Sequence, residues 1–381
     1  MAFIKKIWGR CGRIHRNIRD IFRFWREATA DNKTVVLVSH SADSSGGASL
    51  VLFELAVLLR KRGYRVLFLS RRPGDLLDAC KAAGISGFLA DGFLPVYLRK
   101  LARQKPVCFL VNTAVCHESV RLLQKCKAKA PLFWWLHEEN GILEANRKAL
   151  APIVSDPVQV LCVSYRVKEM LTQLCPELGK SAVLLPYGCR DLYREPGTEK
   201  KETFVVLSVG RLCSRKNQLQ LVEAVEGLPE DARSRLLVNF IYGSSEPEYE
   251  AKLRTAICGK ACYQMIGRVS RERIPEMYAA ADLLVCTSQD DPLPVVVTEA
   301  MMLHCPVIVS SETGHYPLIR DGENGWRYDV RDVVQLRSRI MEAIQNSQIS
   351  SVTAAARRCY EQHFSLSVLE QALFTLLEGQ R

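Results

Sequence analysis

Apolar residues in this chain fall into two kinds of run. Short, mainly apolar runs of five to seven residues end on a polar residue or a turn. Residues 34–39 (TVVLVS), 64–70 (YRVLFLS), 107–112 (VCFLVN), 132–137 (LFWWLH), 159–164 (QVLCVS) and 182–186 (AVLLP) are of this kind. Continuous apolar runs of that length predict strands covered on both faces, as in parallel sheets. Between them lie longer stretches with helical spacing, beginning with residues 50–59 (LVLFELAVLL), which end near Gly63. Strand, loop, helix, strand over residues 33–72 reads as a βαβ unit, and the alternation predicts an α/β class with parallel sheets.

The alternation starts again after a polar Pro-Gly stretch. Residues 194–202 (REPGTEKKE) read as a linker. The expected organisation is a leader at 1–30, a first Rossmann-like domain at 31–193, the linker, a second Rossmann-like domain at 203–352 and a last helical segment at 353–381 that crosses back to the first domain. A chain of 381 residues has room for two such cores. The leader has its own period. Ile4, Ile7, Trp8, Cys11, Ile14, Ile18, Ile21, Phe22 and Trp25 recur at three- and four-residue steps, with basic residues on the other face. That pattern fits a helix lying on a membrane surface, a helix packed on its own domain, or an Arg-rich presequence.

Candidate chemistry gathers at two strand-to-helix turns in the second half. The run 282–287 (DLLVCT) leads into Ser288-Gln-Asp-Asp-Pro-Leu-Pro-Val-Val-Val-Thr-Glu299, which opens an apolar helix. Free N–H groups at a helix start favour an anion. The flanking carboxylates Asp291 and Glu299 would repel phosphate but accept hydrogen bonds from hydroxyls. About eighty residues earlier, a strand, Gly210 and a helix start place Arg211 and Lys216 beyond a strand's carboxyl end, where open parallel sheets bind ligands. Arg and Lys both suit a diphosphate. Phosphate plus a polyhydroxylated group points to a nucleotide sugar.

Five segments in order carry a specific resemblance: G-R-L-x-x-x-K-N at Gly210, Gly-Arg-Val before Asp282, acid-x7-Glu-Ala-Met, Pro306-Val-Ile-Val-Ser, and Gly322-Glu-Asn-Gly325. Together, over residues 33 to 365, they resemble the family 4 glycosyltransferases of the GT-B fold, whose two Rossmann-like domains face a cleft. The resemblance implies that Arg211 and Lys216 hold the donor diphosphate, Glu299 the ribose and Asp291 the transferred sugar. It extends donor binding to Gly46, Gly47, Arg268, Leu293, Val295 and Val296. The family's usual E-G-F-G turn is here Asp-Pro-Leu-Pro, so the acid is one methylene shorter and Pro294 offers no N–H. His137 resembles a family histidine near the transferred sugar, with a positioning role or general-base work. Glu138, Asn112 and His40, at strand ends of the first domain, are candidates for the acceptor side. The implied reaction moves a sugar from a UDP- or GDP-sugar to a glycan or lipid-linked acceptor with retention, with no cofactor and no metal. A nucleotide-sugar epimerase of the same fold and a non-catalytic sugar-nucleotide-binding protein are the alternatives. As groups on a cleft rim, Arg211 and Lys216 are expected to matter little for folding.

Charge and cysteine usage refine this picture. Of the net +11, the leader carries six: eight Lys/Arg less Asp20 and Glu27. With no nucleic-acid motif beside that charge, the expected partner is an anionic membrane rather than nucleic acid. No apolar run reaches eighteen residues, so no transmembrane helix is expected. The 14 scattered cysteines form no zinc-spaced cluster and read as buried thiols of a reducing compartment. The expected location is cytoplasmic, peripheral on the inner face of the cell membrane.

Overall fold

A computed structural model describes residues 21–44, 46–153, 158–193 and 203–378. The leader up to residue 20 and the expected linker at 194–202 lie outside the described residues. The chain forms two compact units. The described residues up to Gly188, with those from Leu369 onward, make one; Cys189–Val368 makes the other.

The first unit is a seven-stranded parallel sheet. Its strands are β1 Thr34–Ser39, β2 Arg65–Ser70, β3 Ser86–Leu89, β4 Cys108–Asn112, β5 Leu132–Leu136, β6 Val158–Cys162 and β7 Val183–Leu184, ordered β3-β2-β1-β4-β5-β6-β7. Every residue of β1, β4 and β5 is buried, because helices cover both faces. The helix Gly47–Lys61 crosses from β1 to β2. It buries Leu52, Leu55, Ala56 and Leu59 and ends with Arg60 and Lys61 in its last turn, where cations complement the helix dipole. The β5 indoles are buried with acceptors for their N–H groups: Trp134 donates to Thr113 O at 2.8 Å and Trp135 to Leu185 O at 2.8 Å. The strand expected over 182–186 shrinks to Val183–Leu184. It lies at the sheet edge, and Pro186 has no N–H with which to extend the ladder.

The second unit is a six-stranded parallel sheet of β8 Phe204–Val209, β9 Leu236–Ile241, β10 Tyr263–Gly267, β11 Leu283–Cys286, β12 Val307–Ser310 and β13 Trp326–Tyr328, ordered β10-β9-β8-β11-β12-β13. Val206, Val238, Phe240, Leu283, Val285 and Ile308 form its core with Trp326 and the helix residues Leu221, Val225 and Ile340. Cys189–Tyr193 joins this unit through side chains of the helix Ile349–His363. Tyr360 donates to Cys189 O at 2.9 Å and Arg357 pairs with Asp191.

Residues 21–27 are helical and pack on the first unit. The buried contact is made by Phe24, which stacks on Tyr97 at 3.7 Å and meets Phe88 edge-on at 5.3 Å. This differs from the apolar stripe read in the leader. Phe22 and Trp25 of that stripe are 72% and 51% exposed. Period alone marks an apolar stripe but not the side from which a protein surface meets the helix.

Candidate active site

In both sheets the strand order reverses direction once, beside the first strand, and such switch points are where open parallel sheets take ligands. In the second unit the switch lies between β8 and β11. After β8 the backbone turns at Gly210, whose φ of 144° lies in the region that favours glycine. A 3-10 turn over Ser214–Lys216 follows, and Asn217 adopts the left-handed conformation before the helix Gln218–Glu226. Hydrogen bonds tie this turn to the one after β11. Thr287 Oγ1 donates to Lys216 O at 2.9 Å, Gln289 N to Arg215 O at 2.8 Å and Arg215 Nη1 to Asp290 O at 2.7 Å.

The charged groups meet across that seam. Lys216 forms an ion pair with Asp291, and both side chains are largely buried, 17% and 9% exposed. Arg215 lies 3.8 Å from the same carboxylate and the Ser288 hydroxyl 3.4 Å from it. Asp291 is also held by its backbone, its N–H donating to Glu312 O and its carbonyl accepting from Gly314 N, each at 2.9 Å. The Asp291 carboxylate raises the Lys216 pKa against the opposing effect of burial. Lys216 is therefore not an exposed rim residue, and its ion pair argues against the expectation that it matters little for folding. Arg211 fits that expectation better: it is 55% exposed and 3.8 Å from Glu246.

Pro294 starts the helix Val295–Met302, which has no side-chain cap and no acidic residue in its first turn. Val295 and Val296 are half-buried on that turn, and Leu293 is buried before it. Glu299 sits in the second turn, 5% exposed. Tyr278 lies 3.5 Å from Glu299 and donates to Val296 O at 3.1 Å, and Arg271 approaches Glu299 Oε1 to 3.1 Å. Oε1, which Arg271 faces, makes no other contact of hydrogen-bond geometry. Burial pushes the Glu299 carboxyl above the usual range, and Arg271 opposes that push. Arg268 follows Gly267 at the end of β10 with an exposed side chain. Behind Asp291, His315 is fully buried, with Nε2 2.8 Å from Thr298 Oγ1 and its ring 5.0 Å from Phe364. Arg215, Arg271 and His315 carried no sequence signal; their roles depend on which loops lie side by side.

In the first unit the switch lies between β1 and β4. His40 follows β1 and Thr113 follows β4, with Thr113 Oγ1 3.5 Å from His40 Nδ1. Thr113 holds a φ of 74°, a costly conformation for a β-branched residue and one that clusters at functional sites. Asn112 is fully buried and straps β4 to the first turn of Gly47–Lys61, donating to Ala48 O at 2.9 Å. Gly46 caps that helix and Gly47 is its first residue. His137 follows β5, its ring 4.5 Å from that of Trp135 and its Nε2 buried without a partner. Burial, with a smaller contribution from His40, lowers its pKa to about 3, so the imidazole is neutral near pH 7. Glu138 is 4% exposed and accepts from Ala114 N at 2.5 Å and His137 N at 2.9 Å. Burial outweighs those hydrogen bonds and raises its carboxyl to about 7. Among the described residues, no group of His, Cys, Asp and Glu is arranged to hold a metal ion.

Comparison with known proteins matches both halves. Residues 31–160 match the family described as glycosyl-transferase family 4, and residues 190–362 match glycosyl transferases group 1. Spore coat protein SA of Bacillus subtilis (strain 168) is 25% identical over 362 residues, 88% of this chain and 96% of its own. The lipopolysaccharide glucosyltransferase WaaG of Escherichia coli (strain K12) is 27% identical over 136 residues, 36% of each chain. Among solved structures, Anabaena HepE in complex with UDP-glucose superposes with a TM-score of 0.74 at 19% identity, covering 91% of this chain and 99% of that one. At that identity the likeness concerns the fold, and the fold is GT-B. The chain is a GT-B glycosyltransferase, with a glycosyl-transferase family 4 domain in its first half and a glycosyl transferases group 1 domain in its second.

Proposed function

We propose that the enzyme transfers a sugar from a nucleoside-diphosphate sugar to a glycan or lipid-linked acceptor, with retention and without a metal. The carrying observation is the second unit's switch point, where a cation pair and two buried carboxylates share one strand-end surface. Arg211 and Lys216 hold the diphosphate and meet the charge that grows on it as the glycosidic bond breaks. The first-turn N–H groups of Val295–Met302 add to that field. The buried Glu299 carboxylate, beside Arg271, accepts from the ribose hydroxyls, and Asp291, oriented by Lys216, faces the transferred sugar. Gly46 and Gly47 offer backbone to the donor phosphates, and Arg268, Leu293, Val295 and Val296 complete the donor contacts. His137, with His40, Asn112 and Glu138 near it, receives the hydroxyl-bearing partner. Crystallised HepE holds UDP and UDP-glucose, which favours a uridine donor here. The basic leader, residues 1–30, places the enzyme on the inner face of the cell membrane, where a lipid-linked acceptor is made.

Calorimetry with UDP, GDP and their sugars tests the donor class, and release of nucleoside diphosphate tests the reaction. Release that depends on an added acceptor separates a transferase from an epimerase and from a binding protein. Binding of neither nucleotide would overturn the reading.

A further inference from the structure

The helix Leu94–Ala102 presents a second element beside the leader. Helical spacing places Phe93, Val96 and Lys100 on one sector, next to Tyr97, which carries Phe24. Phe93 and Val96 are 37% and 40% exposed, and the neighbouring Phe22 and Trp25 are more so. The two elements are joined on that sector. Lys100 Nζ lies over the Trp25 ring at 4.7 Å and donates to Trp25 O at 3.1 Å. Arg26, Arg99 and Arg103 are exposed on the same two elements, against Asp91 and the half-buried Glu27. Among the described residues, then, four exposed apolar side chains are interleaved with an excess of cations on one wall of the first unit.

We infer that residues 22–26 and the helix Leu94–Ala102 form one composite face that docks on an anionic lipid bilayer. Cations alone would serve any polyanion. Exposed aromatic and branched side chains between them gain from an apolar phase beneath the charges, which a bilayer has and a nucleic acid lacks. Phe24, buried against Tyr97 and Phe88, joins the two elements and leaves Phe22 and Trp25 exposed. The inference rests on the proposed membrane location but moves part of the binding from the leader into the folded domain.

The test is co-sedimentation of the full chain with vesicles of phosphatidylcholine containing 30% phosphatidylglycerol, at low and high salt. Arg99→Gln/Arg103→Gln should weaken partitioning roughly thirtyfold at low salt, with about a tenfold change expected for each 1.4 kcal/mol. Phe22→Ser/Trp25→Ser should weaken it at both salt concentrations. Calorimetric binding of UDP should stay unchanged in both variants, so failure here is separable from failure of the donor reading. Three results would overturn the inference. The first is wild-type partitioning by the Arg99/Arg103 variant, which leaves the leader alone, or a segment covering this helix, as the explanation. The second is loss of binding to duplex DNA in parallel with loss of vesicle binding while Phe22→Ser/Trp25→Ser has no effect. The third is a wild-type dimer that the Phe22/Trp25 variant converts to monomer.

Discussion

Replacing Lys216 should unfold the second unit more readily before any effect on catalysis is considered. Lys216→Met keeps the length of the stem and removes the charge. It leaves the Asp291 carboxylate, 9% exposed, without its ion-pair partner. Breaking one side of a buried pair costs about 3–5 kcal/mol. Ser288 at 3.4 Å and Arg215 at 3.8 Å remain near the carboxylate and lower that cost, so about 2–3 kcal/mol is expected. Asp291→Asn should cost less, because the Lys216 stem can carry its ammonium toward water. In the double variant neither charge is stranded. Its cost should fall short of the sum of the single costs by about 1–2 kcal/mol. Hydrogen exchange of peptides spanning β8 and β11 reads opening of this unit separately from the first. Two kcal/mol corresponds to roughly thirtyfold faster exchange by global opening. Wild-type exchange in Lys216→Met would refute the reasoning, and a strictly additive double variant would show that the pair is not the coupling.

Arg211→Ala should behave oppositely. Its side chain is 55% exposed, so melting should stay within about 0.5 kcal/mol of wild type, while turnover falls by about 2–4 kcal/mol of transition-state stabilisation; the melting curve and steady-state rates check both. Arg271→Ala removes the cation that opposes the upward push of burial on Glu299. If Glu299 binds ribose as proposed, it does so ionised, and the acid-side loss of UDP affinity should move to higher pH; calorimetry from pH 5 to 8 would contradict this with an unmoved limb. Glu138, raised from 4.5 to about 7 in the fold, binds its proton more tightly folded than unfolded. Its contribution is fully present below about pH 4.5 and is lost as pH rises through 7, about 3 kcal/mol in all. Denaturation of Glu138→Gln should show a flatter pH dependence over that window than wild type.

The strands were legible because burial on both faces writes a continuous apolar run, as in β1, β4 and β5. Edge strands were less so: β7 keeps two residues of an expected five because its neighbourhood ends on Pro186. Arg211, Lys216, Asp291 and Glu299 were legible as residue types at strand and helix ends. Their pairing was not. Lys216 and Asp291 are 75 residues apart, and only the adjacency of β8 and β11 brings their turns together. Arg271 reaches Glu299 from a loop whose spacing carries no period. Phe24 shows the reverse limit, an aromatic outside the periodic stripe that makes the deepest contact of its helix.

The two switch points differ in how their charged groups are held, and that difference bears on the role of His137. The second unit's site pairs cations with buried carboxylates, Lys216 with Asp291 and Arg271 with Glu299. In the first unit's site burial holds His137 down to about 3 and raises Glu138 to about 7. An imidazole with so low a pKa binds a hydroxyl well but takes its proton poorly. On the proposed reading His137 therefore acts by hydrogen bonding and not as a base. It follows that His137 contributes no limb to the pH profile of kcat/KM between pH 5 and 8. His137→Gln keeps a hydrogen-bonding side chain and should raise KM while preserving the shape of that profile. A limb near pH 7 that comes from Glu138 should vanish in Glu138→Gln. If the limb instead disappears in His137→Gln and survives in Glu138→Gln, the histidine titrates in the working enzyme and is its base.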